Sequence, residues 1–245
     1  MGMPSRWLTS IREWILPGSI DVNAGSENAV DGNARPDNVS SKTSVSAVKF
    51  SAKWNPAIRV AVFLACLLPF LALMHAVATN SLGPDPAEHL MHVTGEWVMR
   101  FLVLVLLATP LARNGWPRLA RYRRMLGLYV WFYATLHLLV FAQVYIGWSG
   151  EQLIEELAER PYVLVGFLAW LILVSLGITS AQAIRKKMGR HWRQLHKLTY
   201  VVAALGWVHL LWLSRSDVGD AVIYGLIFAL LLGWRLKRKI ANAVN

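Results

Sequence analysis

Residues 189–212 read GRHWRQLHKLTYVVAALGWVHLLW, with His196 at the edge of an apolar run and His209 well inside it. A run of this composition reads as membrane-spanning. Ionisable groups at membrane depth are rare, and they face a bundle interior where they do something specific. The whole chain supports the membrane reading, because its 245 residues are 56% hydrophobic and include 12 Trp, more apolar than an ordinary soluble domain.

A formal net charge of +11 suggests a nucleic-acid partner only if the basic residues form one face of a soluble fold. Here they fall between apolar runs, so no nucleic acid is expected. The single cysteine, Cys66, lies in the first such run and reads as a small buried apolar residue; one thiol supports neither an intramolecular disulfide nor a cysteine-held cluster. Residues 1–50 are different in kind. From Gly18 to Ser46 they are rich in Ser, Asn, Asp, Gly and Ala without periodicity, which predicts a disordered, retained N-terminal extension. Before that stretch, Trp7, Leu8, Ile11, Trp14 and Ile15 recur at helical spacing beside Arg6 and Arg12, the pattern of a short interfacial helix.

A bilayer core of about 30 Å needs roughly 20 apolar residues of helix. Six segments approach that, at 56–79, 96–112, 125–146, 161–181, 195–213 and 218–234, with Pro69 and Pro110 expected to kink or end their helices. The fold class is therefore all-α, a six-helix polytopic domain over 51–240. Charges sort by side. Arg113, Arg118, Arg121, Arg123 and Arg124 lie between spans two and three, and Arg185, Lys186, Lys187, Arg190 and Arg193 between four and five, with no acid in either loop. Asp85, Glu88, Glu151, Glu155, Glu156 and Glu159 occupy the alternate loops. Both termini are thus expected on the cytoplasmic side, and the basic loops to hold topology and anionic lipid.

Among the seven histidines, His75 and His89 read as interface residues and His191 as a solvated loop residue. His137, in VWFYATLHLLVFAQV, and His209, in LGWVHLLWL, sit near mid-span, where an unpaired imidazole costs free energy unless hydrogen-bonded or ligated. A structural hydrogen bond to a neighbouring helix is the plain alternative. Two buried histidines on separate helices among bulky aromatics suit a flat porphyrin between axial imidazoles. His137 lies nine residues from the outer end of its span and His209 four from its own, a depth mismatch of about 7 Å that tilt must absorb. His196 precedes His209 by thirteen residues, or roughly 20 Å and about 140° around an ideal helix. Aiming both rings inward needs a bend or π-bulge, for which Gly206 is the candidate. Fourteen residues before His137, where a second haem's ligand would stand, is Arg123.

These stretches also carry a likeness. LGPDPAEHLMHVTGEW at 82–97, LLATPLA at 106–112, RRMLGLYVWFYATLHLL at 123–139, RPYVLVGFLAW at 160–170 and ITSAQAIRKKMGRHWRQLHKLTYVVA at 178–203 occur in one order. With the His209 segment they make a chain that resembles the MsrQ (YedZ) family, within the ferric-reductase-like transmembrane superfamily. The resemblance implies a haem-binding subunit of the bacterial inner membrane, partnered by a periplasmic molybdopterin-containing methionine sulfoxide reductase. It implies haem b, with one or two copies left open, held by His137, His196 and His209, and an arginine pair, Arg123 and Arg124, in place of a fourth histidine. It further implies FMN as a second cofactor and the quinone pool or a cytosolic flavin reductase as electron donor. No glycine-rich nucleotide fingerprint supports flavin independently, and residues 1–50 fall outside the likeness.

Two more polar residues fit such a role. His92, with Thr94 and Gly95, stands where span two meets the outer face and suits a quinone or partner site, beside the plainer reading of Thr94 as a helix cap. Arg100 is four residues from Glu96, placed for an ion pair or for a haem propionate. The expected function is electron transfer across the membrane for repair of oxidised periplasmic proteins. The alternatives are a stand-alone haem reductase of quinone or metal ions, and a small proton-coupled transporter whose histidines relay protons.

Overall fold

The structure, a computed structural model, describes residues 56–214 and 218–244; the N-terminal extension and its expected interfacial helix lie outside the described residues. The described chain is built from α1 (Pro56–Ala78), α2 (Pro86–Arg113), α3 (Arg123–Val144), α4 (Gly150–Glu159) and α5 (Pro161–Thr179). There follow α6 (Gln182–Met188), α7 (Arg190–Leu195), α8 (Thr199–Leu213) and α9 (Gly219–Val244), with 3₁₀ turns at Pro117–Arg121 and His196–Leu198. It is an all-α polytopic membrane protein.

Five helices are long and apolar enough to cross a membrane: α1, α2, α3, α5 and the Gly219–Arg238 part of α9. The sequence predicts a sixth at 195–213. There the apolar helix α8 has only 15 residues, about 22 Å at the helical rise and short of a hydrocarbon core of about 30 Å. Its N-terminal extension is interrupted because His196 and Lys197 fall in the 3₁₀ turn. That turn, rather than a π-bulge or Gly206, is the irregularity between the two histidines; Gly206 is helical, with space toward Met99 and Leu102.

Span two is also longer than its apolar stretch. α2 begins at Pro86, with the Asp85 carboxylate accepting from the Glu88 amide at 2.9 Å, and runs 28 residues through Pro110. A proline at N1 loses no helical bond, and the aspartate supplies the cap that the sequence reading gave to Thr94. Thr94, His89 and His92 are therefore helical. α9 likewise passes the expected end at 234 to reach Val244. The loop after α3 holds the amphipathic α4, capped by Ser149.

α2 packs against α3, α3 against α5, α5 against α8, and α9 against both α8 and α2, while α8 also touches α2. Each helix of this ring thus has two neighbours or more, and the fully buried Leu102, Leu106, Val130, Val202 and Thr94 belong to its helices, while buried Tyr133 turns from α3 to α1. Glycine lets indoles seat deeply between helices. A Cβ at Gly177 would come within 2.7 Å of the Trp131 ring, and one at Gly225 within 2.7 Å of Trp207 Nε1, which donates to the Ala221 carbonyl at 2.8 Å. Small residues at such contacts are how membrane helices approach closely.

α1 is joined to α3 by two tyrosines. Tyr129 donates to the Phe63 carbonyl at 2.8 Å. Tyr133 accepts from the Phe70 amide at 3.1 Å and donates to the Cys66 carbonyl at 3.0 Å. Those two backbone groups are i and i−4 partners beside Pro69. The helix continues through the proline because a neighbouring side chain serves the loosened groups, as helix breakers in membranes require. Pro69 therefore does not end α1.

Candidate functional site

His137 on α3 and His209 on α8 face one another with ring centroids 6.3 Å apart and planes at 90°. The rings meet despite the depth mismatch expected from sequence, partly because α3 stops at Val144 instead of 146. α3 runs seven residues past His137 and α8 four past His209, a difference of three residues, or about 4.5 Å of rise. Both rings keep some accessible surface.

Hydrogen bonding assigns the tautomer of each. His209 Nδ1 lies 2.7 Å from the main-chain oxygen of Tyr162, which only accepts, so Nδ1 carries the proton. His137 Nδ1 lies 3.0 Å from Thr94 Oγ1. The Thr94 hydroxyl has one proton and directs it to the carbonyls of Leu90 at 2.7 Å and Met91 at 3.1 Å, so toward His137 it is an acceptor. Each imidazole thus donates through Nδ1 and keeps its lone pair on Nε2. This is the arrangement of a metal-ligating histidine, whose other nitrogen is tied to a carbonyl or hydroxyl that orients the ring and raises its basicity. A metal shared by two imidazoles at bonds of about 2.0 Å places the ring centres about 6 Å apart. The pair therefore fits a bis-histidine centre.

Glycines make the cradle. A Cβ on Gly166 of α5 would stand 2.8 Å from His209 Nδ1, and one on Gly95 of α2 would stand 3.3 Å from His137 Cε1. Any larger residue at 166 would drive the His209 ring from its place. Thr94, Gly95, Gly166 and the Tyr162 carbonyl are absent from the ligand set read in the sequence, where Thr94 and Gly95 were noticed only for adjoining His92. Their signal is faint, because an orienting partner on another helix leaves no spacing to detect.

His196 is not brought to this pair. It is half-buried, stacks on Trp192 at 4.1 Å, and has Nε2 3.4 Å from Thr179 Oγ1. The charges of Arg123 and Arg124 act on it. Arg123 donates to Thr109 Oγ1 at 3.3 Å. His92 and Arg100 belong to a third place, at the start of α2. Glu96 bridges them, with Oε1 3.3 Å from His92 Nε2 and Oε2 2.6 Å from Arg100 Nη2, and the Arg100 guanidinium lies 4.8 Å from the Trp97 ring centre. Arg100 is thus engaged by Glu96, the ion-pair reading of the sequence.

The family described as the ferric reductase like transmembrane component matches residues 94–207, from Thr94 in α2 to Trp207 in α8, a stretch that contains His137 and stops two residues before His209. The chain is also similar to the protein-methionine-sulfoxide reductase heme-binding subunit MsrQ of Polaromonas naphthalenivorans (strain CJ2), 42% identical over 197 residues, covering 78% of this chain and 90% of that one. No solved structure matches the chain.

Proposed function

The chain belongs to the MsrQ family of haem-binding subunits of protein-methionine-sulfoxide reductase, and from that premise we propose that it is a b-type cytochrome in which His137 and His209 would hold one haem. The observation that carries this is the pair of facing imidazoles, each with its Nδ1 proton committed and its Nε2 lone pair left for iron. When bound, haem supplies a reversible one-electron carrier. The chain's own residues orient the ligands through Thr94 and Tyr162, exclude water with the aromatic and aliphatic walls of the ring of helices, and admit the imidazoles at Gly95 and Gly166.

Electrons pass in this reading from the quinone pool or a cytosolic flavin reductase, across the bacterial inner membrane, to a periplasmic molybdopterin-containing methionine sulfoxide reductase. The basic connections α2–α3 and α5–α8, with both termini, then lie in the cytoplasm, which requires α8 to complete the sixth crossing together with the 3₁₀ turn that precedes it. His92 with Glu96 lies at the opposite end of α2 and belongs to the partner-facing or quinone-facing side. His196 with Arg123 and Arg124 makes the cytoplasmic end, where a further haem or FMN would enter the path.

Reduced-minus-oxidised spectra with haem quantitation on purified protein test the assignment. Wild type should show a low-spin b-type spectrum, and His137→Ala and His209→Ala should each lose it while remaining inserted. A full haem complement in either variant would falsify the ligand pair.

A further inference from the structure

All the described carboxylates belong to one end of the bundle: Asp85, Glu88 and Glu96 on or beside the first turns of α2, four glutamates on α4, and Asp220 in the first turn of α9. The cations there, Arg100 and Arg160, are each paired with a glutamate one turn before, at 2.6 and 3.2 Å. At the other end no carboxylate stands among the described residues. Arg235 on α9 lies within reach of the charges of Arg123, opening α3, and Arg113, closing α2.

Arg235 is half-buried and its hydrogen bonds go to neutral groups. Nη1 donates to the Tyr200 hydroxyl and Nη2 to the Leu106 carbonyl, both at 2.5 Å, while Nε is buried without a partner. Arg123 also donates to a neutral oxygen, Thr109 Oγ1. Guanidinium groups drawn out of water beside like charges carry a desolvation and repulsion cost that neutral acceptors do not cancel. An anion between them would, and a phosphate matches the planar fork of arginine.

The surroundings specify the kind of phosphate. Arg235 lies near the end of the apolar window Gly219–Arg238, at headgroup depth, and the outward side of α9, about 100–140° round the helix from it, exposes Leu230, Leu236 and Ile240 to the surrounding lipid. A ligand with its phosphate at Arg235 therefore has alkyl surface, not water, beside the rest of it. We propose that Arg235 and Arg123 form a specific site for the phosphate of an anionic phospholipid in the leaflet at the basic end of the bundle.

The test is thermal unfolding, followed by tryptophan fluorescence, of delipidated full-length protein in a nonionic detergent. The probes are dihexanoyl phosphatidylglycerol, dihexanoyl phosphatidylcholine and inorganic phosphate at matched ionic strength. Phosphatidylglycerol should raise the wild-type Tm by about 4 °C near saturation, and phosphatidylcholine and inorganic phosphate by much less. Arg235→Gln and Arg123→Gln should each weaken the phosphatidylglycerol titration by about tenfold or more; if Arg235→Gln does not fold, Arg123→Gln alone decides. Equal stabilisation by phosphatidylcholine or by inorganic phosphate overturns the proposal, as does an unchanged titration in the folded variants. Loss of haem from Arg235→Gln with the lipid shift intact also overturns it, because the guanidinium then serves a cofactor carboxylate. Apart from that control the readout does not involve haem, so it stands or falls apart from the cytochrome assignment.

Discussion

His209 donates its Nδ1 proton to the main-chain carbonyl of Tyr162 across 2.7 Å, and so is held by the backbone of α5 where Gly166, one turn on, leaves room for its ring. A carbonyl cannot be deleted by mutation, but the room can. Gly166→Ala puts a Cβ 2.8 Å from Nδ1 and must displace the ring. Haem content should fall by about tenfold or more with insertion unchanged. Gly95→Ala, with its nearest contact at 3.3 Å, should cost less. Pyridine-haemochrome quantitation per mole of protein checks the order, and a Gly95 variant worse than the Gly166 variant contradicts it.

Thr94 is the corresponding support of His137, and being a side chain it is open to substitution. Thr94→Val keeps the shape and removes the acceptor for Nδ1–H, which should lower haem affinity by about 10- to 100-fold and shift the midpoint potential. Thr94→Ser should restore both. A potentiometric titration that is the same for valine and wild type would show that the hydroxyl does not orient the ligand.

The Tyr133 hydroxyl stands between Cys66 and Phe70 in α1, beside Pro69. Tyr133→Phe leaves both backbone groups without it, at a cost of about 1–3 kcal/mol. In the Pro69→Ala background the helix has its normal donor at 69 and can close around the missing hydroxyl, so the same change should cost less than half as much. Denaturant unfolding of the four proteins measures the coupling; additive costs would mean that the proline and the tyrosine act separately.

Glu96 and Arg100 make the shortest ion pair at the acidic end, yet both are partly exposed and lie one turn apart on a single helix. Such pairs contribute about 0–1 kcal/mol. Glu96→Gln should accordingly shift unfolding by less than about 1 kcal/mol and leave haem content at the wild-type level. A large loss of haem would instead place this pair in contact with the cofactor.

The fold class and the candidate ligands follow from composition and position along the chain. Apolar runs of membrane length, basic and acidic connections in alternation, and histidines at mid-run are all one-dimensional properties, and they point to an all-α membrane protein with His137 and His209 as its chemistry. Hydropathy also misplaced boundaries for a physical reason. A helix ends where its caps and backbone bonds end, so α2 starts at Asp85 and Pro86 ahead of its apolar stretch, while the apolar run at 195–213 is divided by a 3₁₀ turn. The partners of those residues come from the packing of the helices. The Thr94 hydroxyl, the Tyr162 carbonyl, Gly95 and Gly166 act on histidines of other helices, Tyr133 mends a helix 63 residues away, and Arg235 meets Arg123 at the basic end. Each depends on which faces of separate helices meet, and that is set by packing around the ring and leaves no periodic mark along the chain.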